Sequence, residues 1–462
     1  MTNPPPGAGQ APAGDGTPQP QAHNPGQEPR HGFSRRRLLT GGALAGGGLV
    51  AGAAIGAGVT AAFASGSTDS AAQTEPFWGE HQSGIVTDTQ RNVVLASFDL
   101  NTTARDDVSA LLKAWTELGA KLAAGQSTKI PAFTGSSTDA YADTTGSVSV
   151  DDSLEAWQLG PQRLTLTVGF GPGMFERDGH DRFGLAARRP APLVDLPRFP
   201  GDEIDEGQSG GDLFLQSCAD DPQVAFHAIR SIARIAPDVA TLRWTQVGFS
   251  PSNTGGTPRN LMGFKDGTIN SNLHPPADQG ATVWANSTSP GWMQGGSYLV
   301  YRRIRITLEH WDRLALPLQE QVIGRHKVNG APLGASDEFD ALDLTAKTSD
   351  GTPVIPMTAH VRLAAPETND GAVILRRAFS YDNGTTPFIE RWPPWRQALE
   401  YDSGLLFLAH QQDPRTAFIP INHRLSIDDA LNQFTTHTAT GIYAIPPGAR
   451  APGDWIGREL FS

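Results

Sequence analysis

The sequence predicts an α+β fold with a duplicated unit. Short apolar runs rich in β-branched and aromatic residues are interspersed with stretches of helical period, in no strict βαβα order. One strand–turn–helix pattern occurs twice. No G-x-G-x-x-G opens a helix after a strand and no P-loop is present, so a nucleotide-binding doubly wound sheet is not indicated.

In chain order, residues 1–33 hold 8 Pro and 6 Gly and almost no aliphatic side chains. Such a segment buries too little surface to offset ordering entropy and reads as disordered. Residues 34–64 read as an export signal. Ser34-Arg35-Arg36-Arg37-Leu38-Leu39 is followed by a Gly/Ala/Val-rich run from Gly41 and a small-x-small site, Ala62-Phe63-Ala64. The paired arginines resemble a twin-arginine signal, which a receptor reads. A retained membrane anchor is the competing reading, disfavoured by the many glycines.

Beyond the leader, Val93–Phe98 reads as a strand leading into a helix with Val108, Leu111, Leu112, Trp115 and Leu118 on one face. Tyr298–Ile306 repeats this, leading into Trp311, Leu314, Leu316, Leu318 and Val322. Leu213-Phe214-Leu215, then Asp221-Pro222, then Ala225-Phe226 is matched by Leu406-Phe407-Leu408, Asp413-Pro414 and Ala417-Phe418. Two matches in the same order indicate duplication. Further strands are expected at Leu164–Phe170, Thr241–Phe249 and Val373–Tyr381, and helices near Gln223–Ile235 and Ser426–Gln433.

Composition narrows the function classes. The 462 residues carry a net charge of −12, which disfavours binding to a phosphate backbone. A lone cysteine, Cys218, excludes an internal disulfide and cysteine-rich metal sites. Neither H-E-x-x-H nor G-x-S-x-G occurs, so zinc peptidase and serine hydrolase lack their signals. A cofactor held by one of the 12 histidines remains open.

Three segments carry candidate chemistry. Gly263-Phe264-Lys265-Asp266-Gly267-Thr268 would by itself be a turn. His360, in Ala359-His360-Val361-Arg362-Leu363, would by itself be a histidine at a strand end bonded to a backbone carbonyl. Ile374-Leu375-Arg376-Arg377 places two arginines in an apolar strand, where alternation buries one and exposes the other. A buried arginine requires a carboxylate or an anionic ligand. His360 and Arg376 flank the loop 366–371 about equally, as in a hairpin.

Together the G-x-x-D-G element, the A-H-x-R-L histidine and the I-L-R-R strand resemble the dye-decolorising (DyP-type) haem peroxidases, over about residues 75–458. The resemblance implies two ferredoxin-like domains, here 75–265 and 266–462, sharing one haem b. It implies His360 as the axial iron ligand, with its other ring nitrogen held by an acidic residue. Asp413 falls where the family places that acid, although it also reads as a simple Asp-Pro turn like Asp221-Pro222. On the other haem face Asp266 would shuttle the peroxide proton and Arg376 would stabilise developing charge. Gly267, Thr268 and Ile269 would lie against the haem edge. Arg362 and Arg377 are structural or propionate-binding candidates. Tyr381, Trp392, Trp395 and Tyr401 are candidates for electron relay.

The implied activity is a secreted peroxidase that reduces hydrogen peroxide through a ferryl intermediate and oxidises phenolic or dye-like donors. Its subgroup resembles the exported iron-uptake peroxidases, so iron release from haem (deferrochelatase activity) is a second reading. A non-catalytic haem carrier is a third. The implied partners are peroxide, an aromatic reductant and the twin-arginine export machinery. The implied location is extracellular or the cell envelope. Whether the chain forms a homo-oligomer is not decided by these residues.

Overall fold

The computed structural model describes residues 73–126, 152–251, 256–273, 276–385 and 400–462. The disordered-segment and twin-arginine readings, Trp392 and Trp395 lie outside those residues. Within them, no helix is long and apolar enough to cross a membrane.

Eight strands form one closed antiparallel barrel: β1 (Asn92–Leu100), β2 (Thr165–Phe170), β3 (Leu213–Ala219), β4 (Ala240–Phe249), β5 (Ser297–Ile306), β6 (Leu375–Thr385), β7 (Tyr401–Gln411) and β8 (Thr435–Ile445). Their order around the barrel is β1-β3-β2-β8-β5-β7-β6-β4. Split at the two junctions, each half reads fourth-first-third-second strand: β4-β1-β3-β2 and β8-β5-β7-β6. The duplication inferred from sequence is therefore topological. Both matched pairs, β1 with β5 and β3 with β7, occupy equivalent places. The halves are stitched by short bridges, Phe170 opposite Ala444 and Phe249 opposite Ser380.

The helices pack as the apolar spacing dictates in the first half. In α1 (Arg105–Ala123), Val108, Leu111, Leu112, Trp115 and Leu118 are all buried. Helix α2 (Pro222–Arg234) starts at Asp221, whose carboxylate accepts from the backbone N–H groups of Gln223 and Val224.

The second half departs from expectation. The helix expected through Trp311–Val322 is broken into Leu308–Trp311 and α3 (Leu316–Ile323), with Leu316 and Leu318 exposed. Pro317 is the cause. It lacks an N–H and its ring would clash one turn back, so it is accommodated in a first turn and not within a continuous helix. Likewise α5 runs Phe418–Asp428 and stops, and a separate 3-10 turn follows at Ala430–Gln433. The expected helix over 426–433 is thus interrupted at Asp429.

Strand alternation in the second half makes two interiors. Leu406, Leu408, Phe379, Tyr301, Tyr381 and Tyr443 point into the barrel. Leu405, Phe407, Ile304 and Ile306 face the other way, toward the helices, and line a cavity of about 390 Å³. The candidate site occupies this space. Tyr381 is wholly buried in the barrel, while Tyr401 is partly exposed.

Candidate active site

The loop before Asp266 is built by its own backbone. The N–H of Gly263 donates to the Asn260 carbonyl, that of Asn260 to Phe264, and that of Asp266 to Pro258. Gly263 and Gly267 have φ of +83° and +103°, a region costly for side-chain-bearing residues. A Cβ on Gly267 would make only an ordinary contact, 3.9 Å from Asn270 Nδ2, so its backbone conformation and not crowding demands glycine. This turn presents Asp266 to the cavity, with Gly267, Thr268 and Ile269 beside it on the wall.

Arg376 reaches the cavity from β6, and its Nη1 lies 2.8 Å from Asp266 Oδ1. Alternation turns Arg377 to the opposite side, where it is buried and donates to the Thr87 carbonyl and Gln90 Oε1. Arg362 is likewise committed to backbone carbonyls of Leu344, Ile355 and Pro356. Neither lines the cavity, so both are structural.

His360 is not at the end of a strand. It is the first residue of α4 (His360–Ala364), a short helix that ends at Ala365, held extended before Pro366. The hairpin picture is replaced by a helix, a turn and a strand, with His360 and Arg376 both on the cavity wall. The partner of His360 is a carboxylate, Asp429 Oδ2, 2.6 Å from Nδ1. Burial disfavours the charged imidazole, but the field of Asp429 and this hydrogen bond outweigh it and raise the His360 pKa above its usual value.

The acid beside His360 is therefore Asp429, and the assignment of Asp413 is corrected. Asp413 caps its own turn, accepting from the Arg415 backbone N–H and from its guanidinium at 2.7 Å, and does not line the cavity. Asp413→Asn is expected to leave haem absorption and the rate of reaction with peroxide unchanged, as measured by spectrophotometry.

Asp429 was missed because a continuous helix was expected across it. Its signal was present: Asp429 precedes the helical turn Ala430–Gln433 and caps it, Oδ1 accepting from the Leu431 N–H at 2.8 Å. That cap, with Ala430 N–H bonded to the Thr358 carbonyl, aims the other oxygen at His360.

The donor set fits a haem. Nδ1 of His360 is committed to Asp429, which leaves Nε2 as a donor for iron with its basicity raised by the carboxylate. The walls are largely aliphatic and aromatic: Ile304, Ile306, Leu405, Phe407, Ile421 and Leu425. For the propionate carboxylates, the wall offers Arg325 and His437, while the ammonium of Lys265 is ion-paired with Glu338. Nδ1 of His437 accepts from Arg302 Nε at 2.9 Å, so its remaining N–H is on Nε2.

Comparison with known proteins decides the family. A model described as Dyp-type peroxidase, N-terminal matches residues 82–250, and one described as Dyp-type peroxidase, C-terminal matches residues 257–450. The chain belongs to the DyP-type peroxidase family. It is 38% identical to a dye-decolorizing peroxidase of Thermobifida fusca over 368 residues, 78% of this chain and 77% of that protein. It is 34% identical to a deferrochelatase of Yersinia pestis over 445 residues, 93% of this chain and 95% of that one. Among solved structures, ferric DtpA from Streptomyces lividans is 37% identical with a TM-score of 0.75, covering 86% of this chain and 99% of that one. This DyP-type chain is thus a haem peroxidase by family, and its α+β barrel is the family's duplicated ferredoxin-like fold.

Proposed function

We propose that the chain is an exported peroxidase that holds one haem b through His360, reduces hydrogen peroxide and oxidises phenolic or dye-like donors. The observation that carries this is the presence of two polar pairs, His360–Asp429 and Arg376–Asp266, on one apolar cavity. A simple haem carrier needs an axial ligand and an apolar slot. A second, distal acid–base pair serves chemistry.

Bound haem would supply the iron at which peroxide is cleaved and the oxidising equivalents for the donor. The protein's part is proton movement and charge. Asp266 accepts the proton from one peroxide oxygen and returns it to the other as the O–O bond breaks. Arg376 holds the Asp266 carboxylate in place and stabilises negative charge on the departing oxygen. His360, polarised by Asp429, would hold the iron through Nε2 and donate electron density to it. Export rests on Arg35-Arg36 and the apolar run behind them.

The similarity to deferrochelatases over nearly the whole chain supports a second reading, removal of iron from haem. One experiment separates them. The haem-loaded protein is given peroxide plus a phenolic donor, or haem plus a reductant. Donor oxidation without protoporphyrin fluorescence supports the peroxidase; protoporphyrin formation without donor turnover supports iron release.

A further inference from the structure

One side chain ties together the two elements that carry the Arg376–Asp266 pair. At Arg376, β6 has β7 on one side, with Ala409 in register. On its other side β4 pairs with β6 at a single position among the described residues, Phe249 opposite Ser380. Both backbone groups of Arg376 go instead to Asn270, 106 positions away: its Nδ2 donates to the Arg376 carbonyl, and its Oδ1 accepts from the Arg376 N–H at 3.3 Å. The amide takes the place of a neighbouring strand, because it offers a donor and an acceptor in one plane, as a peptide does.

Asn270 belongs to the turn that carries Asp266. Its own N–H donates to the Gly267 carbonyl at 2.9 Å, within the 3-10 turn that begins at Thr268. Glu338 ties the same turn down, accepting from Thr268 Oγ1 at 3.0 Å and ion-paired with Lys265. Asn270 also lines the cavity.

We propose that Asn270 is a positioning residue for Arg376, gripping its backbone so that the guanidinium stays aimed at the haem cavity beside Asp266. The 2.8 Å contact of Nη1 with Asp266 fixes only the far end of a long, flexible arm. Asn270 fixes the root of that arm, and it does so from the same turn that holds Asp266. An arm held at both ends meets developing negative charge without first reorganising.

This inference rests on the reading of Arg376 as the charge-stabilising group at the haem. Its test is fluoride binding to the ferric, haem-loaded protein, titrated by absorbance. Iron-bound fluoride is stabilised by hydrogen-bond donors that face it, and it reports their position without turnover. Asn270→Ala removes both contacts and should weaken fluoride about tenfold and slow the reaction with peroxide by a similar factor. Haem content and circular dichroism should match wild type. Asn270→Asp keeps the acceptor but loses the donor, and should weaken fluoride in the same direction. In an Arg376→Leu background, Asn270→Ala should add no further loss, since it acts through the guanidinium; a merely structural role would add its own. Fluoride affinity within about twofold of wild type in both Asn270 variants, or equal losses with and without Arg376, overturns the proposal. If Arg376→Leu itself leaves fluoride affinity and the peroxide rate intact, the functional reading of Arg376 fails. If it lowers both while the Asn270 variants change neither, only the role of Asn270 fails.

Discussion

Asp266→Asn should lower the second-order rate of reaction with peroxide by about 10²–10⁴-fold while leaving the Soret band in place. The substitution is nearly isosteric, and the new amide oxygen can still accept from Arg376, which now lies 2.8 Å from Oδ1. The ion pair becomes a hydrogen bond and the loop keeps the backbone contacts that shape it. What is lost is the group that can take up a proton. Arg376→Leu would be a poorer probe, because it leaves the largely buried Asp266 carboxylate without its counter-charge and adds a folding penalty. Stopped-flow absorbance at several peroxide concentrations measures the effect, and a rate within threefold of wild type, on the order of 0.6 kcal/mol, would remove Asp266 from the chemistry.

Asp429→Asn should weaken haem retention by about 10–100-fold and raise the iron reduction potential. Asn keeps an oxygen to cap the turn at Leu431, so the local fold is preserved. With that oxygen used by the cap, the group facing His360 Nδ1 becomes an NH2, which donates and cannot accept the ring N–H. The negative charge is lost as well, and a ring that no longer gives its Nδ1–H to a carboxylate at 2.6 Å is a weaker donor. Haem transfer to an excess of apomyoglobin measures the first effect and spectroelectrochemistry the second. Asp413→Asn is the matched control, since Asp413 is occupied with Arg415.

Much of this was legible in the sequence, for identifiable reasons. Asp266 and Arg376 sit in motifs whose local geometry decides their direction: a glycine-flanked turn and an alternating strand. The motifs alone read as a turn and as a strand burying one of two arginines; the resemblance to the family is what singled out Asp266 and Arg376. The duplicated topology was legible because equivalent strands keep similar apolar runs, as in Leu213–Leu215 and Leu406–Leu408. The His360–Asp429 pair joins residues 69 positions apart, and no local pattern reports such a contact. It depends on α5 stopping at Asp428, which periodicity extended through. The short helix at His360 was hidden for a related reason: five residues are too few to show a period, and Pro366 suggested only a turn. Asp413 shows the converse error, in which a family position was assigned to a residue whose turn chemistry was already sufficient.

The central claim is that His360 holds the haem iron in the cavity shared with Asp266 and Arg376. The most direct measurement is the absorption spectrum of His360→Ala, produced with haem supplied and compared with wild type by circular dichroism for folding. His360→Ala should fold but lose the native Soret band, and adding imidazole should restore part of it. A Soret band of unchanged position and intensity in His360→Ala would contradict it.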